Sequence, residues 1–125
     1  MSEASDGSVM VYVTSDNTLI IAGQDGVIAG RYIRFNKFSQ VTSLDLSNLD
    51  TSKVTDMMDM FTGCSSLTIL DLTSFDTSKV TNMNAMFSDC SKMQSIKVSS
   101  KWVISSGCNT NSMFAYCGVS SVTYV

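Results

Sequence analysis

The chain has 125 residues, a length that suits one domain with a modest core and is too short for two ordinary domains. Its formal net charge of −3 argues against nucleic-acid binding, and the absence of histidine removes the commonest catalytic base. No stretch approaches the roughly 20 apolar residues that a membrane span requires.

The first segment, residues 1–26, has the pattern of a β-hairpin. Residues 9–13 and residues 19–22 have strand character, and the turn sequence TSDN separates them. No basic region precedes the short apolar run, so we do not expect a secretory signal peptide here. Two settings follow from this: a fragment of an exported protein, extracellular or on the cell surface, or a whole small protein in a virion or the cytoplasm.

The rest of the chain, residues 27–125, is repetitive. A shift of 26 residues aligns Leu44 with Leu70 and Ile96, and Phe61 with Phe87. A period of this length indicates stacked supersecondary units that share one core. We divide the region into a degenerate repeat, two clear repeats and a terminal repeat, at residues 27–48, 49–74, 75–100 and 101–125.

Each repeat contains two periodicities. In the first clear repeat the apolar side chains step by three, three, one and three, which predicts a short helix; they are Val54, Met57, Met60, Phe61 and Cys64. The Leu-Asp-Leu that follows predicts a strand with its leucines facing inward. One unit cannot bury its own apolar face, so we predict an α+β right-handed solenoid of short strand and helix coils. Residues 1–26 would cap it as a hairpin.

The four cysteines do not have the spacing of a zinc site, because no Cys-x-x-Cys pair and no histidine are present. Cys64, Cys90 and Cys117 are in phase and are expected to stack as a ladder. The spacing permits a disulfide without requiring one, and we expect buried reduced thiols. Cys108 lies outside the ladder and is expected to be the reactive thiol.

The methionines and paired acids of the repeats have structural interpretations. Helical spacing and phenylalanine partners make the methionines core residues, although a soft-metal surface is the alternative. Asp50 and Asp76 recur in phase, as turn-forming side chains do, rather than as an acid–base or calcium pair. No nucleophile, base and acid set can be assembled. We therefore expect no enzyme activity, no cofactor and no metal.

The outward positions of the predicted strands form a candidate binding surface, which we call the strand face. It combines small hydroxyls, two carboxylates, a lysine and one isoleucine. Solenoids bind partners through such faces, and a solvated sheet face is the alternative. Beyond it, the apolar C-terminal strand is a candidate for pairing with another chain. The nine strand-face residues are Ser43, Asp45, Ser47, Ile69, Asp71, Thr73, Ser95, Lys97 and Ser99.

The repeats resemble those of the BspA-like leucine-rich-repeat surface proteins of bacteria. The motif that carries the resemblance is F-D-T-S-K-V-T-N-M-x-x-M-F-x-x-C-x-x-L-x-x-L-D-L, matched by residues 75–98 and residues 49–72. The resemblance implies a leucine-rich-repeat-like solenoid, in proteins linked to adhesion and host contact and also found in phage virions.

On this basis we expect a non-enzymatic protein–protein interaction or adhesion module whose partner is a host-surface or virion protein. Two alternatives keep the same fold: a phage-encoded virion structural or receptor-contact protein, and a small intracellular inhibitor of another protein. The repeat region does not distinguish between these settings.

Overall fold

The computed structural model describes residues 2–4, 9–13, 18–22, 27–28, 35, 39–47 and 49–125. In this part of the chain, nine strands lie in three sheets. The first sheet has the order β1-β2-β3-β5, the second pairs β4 with β6, and the third has the order β7-β8-β9. The strands are β1 (Ser2–Ala4), β2 (Val9–Val13), β3 (Thr18–Ala22), β4 (Val27–Ile28), β5 (Ser43–Asp45), β6 (Leu49–Asp50), β7 (Ile69–Leu72), β8 (Ser95–Val98) and β9 (Thr123–Tyr124).

The N-terminal strands form an antiparallel unit that joins the first repeat. β2 pairs with β3 in an antiparallel register in which Val11 lies opposite Ile21, at the positions predicted for a hairpin. β3 then pairs in parallel with β5, with Leu19 opposite Leu44. The N-terminal strands therefore extend the sheet at the side of β5. The turn predicted at TSDN lies outside the described residues.

The clear repeats lie side by side in phase. β7 and β8 are parallel, with Leu70 opposite Ile96 and Asp71 opposite Lys97, the same shift of 26 residues that the sequence shows. β9 continues the ladder, with Thr123 opposite Lys97. Alternate residues along β7 and β8 are buried, so each strand contributes one face to the core.

In each clear repeat the segment that precedes the strand consists of turns, and there is no helix among the described residues. In the first clear repeat the amides of Met60, Thr62 and Cys64 each donate to the carbonyl three residues earlier. The alternate amides, those of Met57 and Phe61 among them, donate instead to carbonyls of the next repeat. The helix predicted from the apolar spacing is therefore replaced by successive turns, which we call the turn column (residues 57–63, 83–89 and 110–116).

The turn column places non-glycine residues in left-handed backbone conformations at equivalent positions. The first equivalent set is Asp59, Ala85 and Ser112, with φ of 59°, 56° and 56°. Gly63, Asp89 and Tyr116 form the second set, with φ of 80°, 62° and 57°. Each occupies the third position of a four-residue turn, where a type II turn requires positive φ.

The core is a stack of equivalent side chains from successive repeats. Phe35, Phe61, Phe87 and Phe114 form a column with ring centroids 5.5–5.7 Å apart. All of the methionines predicted as core residues are buried, from Met57 at 0% exposure to Met113 at 6%. Stacking of this kind is what a repeat solenoid requires. The right-handed solenoid with a hairpin cap stays a prediction, with turns in place of its helices.

Candidate partner-binding surface

The strand face lies on the outer side of three strands and the residues that follow them. Ser43 and Asp45 are on β5, whereas Ile69 and Asp71 are on β7 and are separated by buried Leu70. Ile69 is 52% exposed, so the strand face presents one large apolar side chain to solvent at this point. The side chains of Asp45, Ser47, Asp71 and Lys97 are exposed, while those of Thr73, Ser95 and Ser99 are half-buried.

The parallel register brings the central members of the strand face together. Ile69 is opposite Ser95, and Asp71 is opposite Lys97. The ladder adds Thr123, opposite Lys97 on β9, which the sequence analysis did not include. The repeat period could have identified Thr123, because this residue follows Asp71 by two repeat lengths. β5 belongs to a different sheet and contacts β7 without being one of its ladder partners.

The two carboxylates of the strand face are held by their own turns. The Thr73 amide and hydroxyl donate to Oδ1 of Asp71 at 3.0 Å and 2.6 Å. Ser47 makes the same pair of bonds to Asp45, at 3.2 Å and 2.7 Å. The side-chain and then the backbone hydrogen bond lower the pKa of each carboxyl below its ordinary value of 3.8. Both side chains are therefore fixed anions at neutral pH.

The second clear repeat lacks this aspartate turn in its strand face. Lys97 replaces the aspartate, and the Ser99 hydroxyl oxygen accepts a hydrogen bond from the Lys101 amide at 3.2 Å. Lys97 also contributes to the lowered pKa of Asp71, after the hydrogen bonds from Thr73. The strand face thus changes from negative to positive charge between β7 and β8.

A groove of about 410 Å³ opens between the first two aspartates. Among the lining residues, the Ser74 hydroxyl donates to the Leu46 carbonyl at 3.0 Å. The hydroxyls of Ser47 and Thr73 are engaged with the aspartates, so neither is poised as a nucleophile. The groove is lined by Leu44, Asp45, Leu46, Ser47, Asp71, Thr73 and Ser74.

Asp50 and Asp76 lie away from this groove and serve the turn that precedes the turn column. The Ser52 amide donates to Asp50 at 2.8 Å, and the Ser78 amide donates to Asp76 at 3.0 Å. Hydrogen bonds from these serines lower the pKa of both carboxyls. Both acids thus lie directly before a turn and bond to nearby backbone, as predicted. Among the described residues no group of three or more His, Cys, Asp or Glu side chains could hold a metal ion.

The cysteine ladder is present as free thiols. The buried Cys64 and Cys90 thiols donate to the carbonyls of Phe35 and Phe61 at 3.3 Å and 3.1 Å. Burial, with smaller contributions from the neighbouring thiols, raises the pKa of Cys90 to about 12. Cys117 is half-buried, as is Cys108, which lies outside the ladder. The ladder therefore has the properties of core packing rather than of a redox site.

Comparison with known proteins identifies a family. A family model described as "Mycoplasma protein of unknown function, DUF285" matches residues 32–121, well over half of the chain. The chain belongs to this family. The match covers the whole of the clear repeats and the strand face. No curated protein and no solved structure matches the chain. Within the described residues, no helix has the length and apolar character needed to cross a membrane.

Proposed function

We propose that this DUF285 chain is a non-enzymatic protein–protein interaction or adhesion module that binds its partner through the strand face. The observation that carries the proposal is the in-register pair of β7 and β8. There, half-exposed Ile69 lies beside Lys97 and beside Asp71, whose carboxylate is held by the Thr73 amide and hydroxyl. Side chains that are ordered before binding lose less conformational entropy on association.

The charge pattern defines the chemistry of the partner. A complementary partner has basic groups opposite Asp45 and Asp71, an acidic group opposite Lys97 and an apolar group against Ile69 at the centre. Complementary charges set register and association rate, while the central apolar contact supplies affinity. The resemblance of the repeats to those of BspA-like surface proteins supports the adhesion setting of this proposal.

A photo-crosslinking experiment tests the strand face. Benzoylphenylalanine replaces Ile69 in one variant and, in the control, Lys92, an exposed turn residue outside the strand face. Each variant is incubated with intact host cells and irradiated, and crosslinked proteins are identified by mass spectrometry. We expect a discrete partner from position 69 and none from position 92. Excess wild-type chain should compete for this partner.

Charge reversal makes the same experiment specific. The competitor Ile69→Asp/Lys97→Glu should fail to displace the crosslinked partner, while the competitor Lys92→Glu should displace it as well as wild type does. If both competitors are equally effective, or if both crosslinking positions recover the same proteins, the strand face is not the binding surface.

A further inference from the structure

Side chains at equivalent positions of successive repeats form a row of charges across the strand face. The repeat period places Asp45 on β5, Asp71 on β7, Lys97 on β8 and Thr123 on β9 at this position, and all four are exposed. We call these four residues the charge row. From β5 to β9 it is negative, negative, positive and neutral. Ile69 lies two residues before Asp71, on the same side of β7.

The charge row is complementary to its own copy about one two-fold axis. This axis runs parallel to the strands, between β7 and β8, and packs two strand faces together with β7 of each copy over β8 of the other. Asp71 of each copy then lies opposite Lys97 of the other, and Asp45 lies opposite Thr123, whose hydroxyl is a hydrogen-bond donor. Opposite charges therefore face each other twice, in the reciprocal manner of a two-fold interface.

The neighbouring axes give less favourable arrangements. An axis along β7 sets Asp71 against Asp71 of the other copy, and an axis along β8 sets Lys97 against Lys97. An axis between β5 and β7 sets Asp45 against Asp71, and an axis between β8 and β9 makes no ion pair. Because like charges that oppose each other across an interface suppress association, the charge row favours the axis between β7 and β8.

The same axis brings two apolar side chains together. Ile69 of each copy lies over Ser95 of the other, and the two Ile69 side chains are offset across the axis by one strand spacing, about 4.8 Å. Each is 52% exposed in the single chain, so the pair can bury apolar area beside the ion pairs. The hydrogen bonds from the Thr73 amide and hydroxyl both go to Oδ1 of Asp71, which leaves Oδ2 of this carboxylate to face Lys97 of the second copy.

We propose that the partner of the strand face is the strand face of a second copy of this chain, packed about this axis. The inference rests on the proposed function, since it names the partner of the same surface and makes the module homophilic. Four strands about 4.8 Å apart, exposed over about five residues, cover roughly 300 Å² per copy, against about 800 Å² per partner in a stable interface. A single pair therefore associates weakly, and arrays of the module on two surfaces bind through many such contacts.

Charge exchange between two variants tests this partner. Asp71→Lys makes both central charges positive and Lys97→Asp makes both negative, so neither variant can pair with its own copy about the axis. A mixture of the two restores both opposite-charge pairs. Fluorescent beads are coated with wild type, with either variant or with the control Lys92→Glu, which lies outside the strand face. The dense coating amplifies a weak contact, and circular dichroism establishes that each variant is folded.

Wild-type beads and Lys92→Glu beads should aggregate with their own kind, and aggregation should be lost for beads that carry Asp71→Lys alone or Lys97→Asp alone. Beads of these two variants should aggregate when mixed. Failure of wild-type beads to aggregate, aggregation of each charge variant with itself, or no aggregation in the mixture of folded variants overturns the proposal. If Asp71→Lys does not fold, Asp71→Asn decides, because asparagine keeps this kind of turn. It should reduce aggregation severalfold, and undiminished aggregation overturns the proposal.

Crosslinking separates this inference from the proposed function. The purified chain with benzoylphenylalanine at position 69 should form a covalent dimer on irradiation at millimolar concentration, joined to the β8 segment around Ser95 of the second copy. If it forms no such dimer while position 69 captures a host protein that wild-type chain displaces, the second copy is not the partner and the strand face remains the binding surface. If position 69 captures neither, both proposals fail.

Discussion

At the scale of single residues, two buried threonines join neighbouring repeats. Thr51 and Thr77 are the buried polar residues of the described core, each with 0% exposure. The Thr77 hydroxyl accepts from the Val103 amide at 2.6 Å and donates to the Val103 carbonyl at 2.7 Å. Thr51 makes the same two bonds to Asp76, at 2.9 Å and 3.0 Å. Each hydroxyl therefore satisfies both backbone groups of one residue in the next repeat.

Replacement of Thr77 by valine should remove this bridge without changing the side-chain volume appreciably. Two partly buried backbone groups of Val103 would lose their partners, at about 1–3 kcal/mol each. We expect Thr77→Val to lower the free energy of unfolding by about 2–4 kcal/mol, measured by urea denaturation. Thr77→Ser retains the hydroxyl and should cost less than about 1.5 kcal/mol. Equal losses in the two variants would contradict the bridge.

The left-handed residues give a second prediction at this scale. Tyr116 has a φ of 57° at the position that glycine occupies in the first clear repeat, and its exposed side chain contributes little packing. The left-handed conformation costs an L-residue about 1–2 kcal/mol, and glycine avoids this cost. Glycine in turn loses about 0.5–1 kcal/mol more conformational entropy on folding. Tyr116→Gly should therefore raise the free energy of unfolding by about 0.5–1 kcal/mol.

The control for this prediction is Tyr116→Ala, which removes the aromatic ring and keeps the Cβ atom, and should leave stability nearly unchanged. Gly63→Ala, at the equivalent position, should lower stability by about 1 kcal/mol. If Tyr116→Ala stabilises the chain as much as Tyr116→Gly does, backbone conformation is not the cause.

At the scale of elements, the turn column shows why the sequence could not distinguish turns from a helix. The spacing of Met57, Met60, Phe61 and Cys64 puts all four on one side of a helix, and successive turns bury the same four residues. The difference lies in the alternate amides, which bond to the next repeat. These bonds form only when repeats are stacked, so no local pattern predicts them. Gly63, at the third position of its turn, is the local sequence feature that favours a turn over a helix.

The aspartate turns predict how stability depends on pH. Hydrogen bonds from the following serine or threonine lower the pKa of four carboxyls below 3.8 in the folded chain; they are Asp45, Asp50, Asp71 and Asp76. A lowered folded-state pKa stabilises the fold above the unfolded-state value, and this contribution is lost as pH falls through the folded-state value. Urea midpoints should therefore decline below about pH 4.

Asparagine provides the matched variant for this experiment. Asn82 and Asn109 form the same turn, each accepting the amide two residues later at 2.9 Å, so asparagine keeps the turn and cannot titrate. The variant with all four aspartates replaced by asparagine should show a flatter decline of the midpoint below about pH 4. An unchanged decline would assign acid sensitivity to other carboxyls.

The cysteine ladder predicts an order of thiol reactivity. Burial raises the pKa of Cys90 to about 12, and both Cys64 and Cys90 are fully buried, so neither forms an accessible thiolate in the folded state. Cys108 and Cys117 are half-buried and should react first with iodoacetamide, with the alkylated sites identified by mass spectrometry at timed intervals. Cys64 and Cys90 should react only at the rate of unfolding. Simultaneous labelling of all four would contradict the stacked ladder.

At the scale of the whole molecule, the period of the sequence determines most of what could be foreseen. The 26-residue shift correctly pairs Leu70 with Ile96 and places Ile69 and Asp71 on the outer side of β7. The strand face could thus be predicted from alternation alone. The hydrogen bonds between neighbouring turns could not, because they depend on the backbone of neighbouring repeats. Side-chain periodicity carries no information about the direction of those bonds.

One continuous core should make the repeats fold together, and a buried charge tests this. Met86 has 0% exposure and lies between repeats, whereas Met113 in the terminal repeat is 6% exposed. An unpaired carboxylate at Met86 costs several kcal/mol, a large part of the 5–15 kcal/mol that stabilises a typical domain. Met86→Asp should therefore abolish the cooperative thermal transition seen by circular dichroism.

Met113→Asp should preserve that transition at lower temperature, with hydrogen-exchange protection lost first in β9, because only one neighbouring repeat depends on it. Met86→Leu conserves volume and should cost less than about 1.5 kcal/mol. A normal melting transition in Met86→Asp would show that the repeats do not share a core at this position.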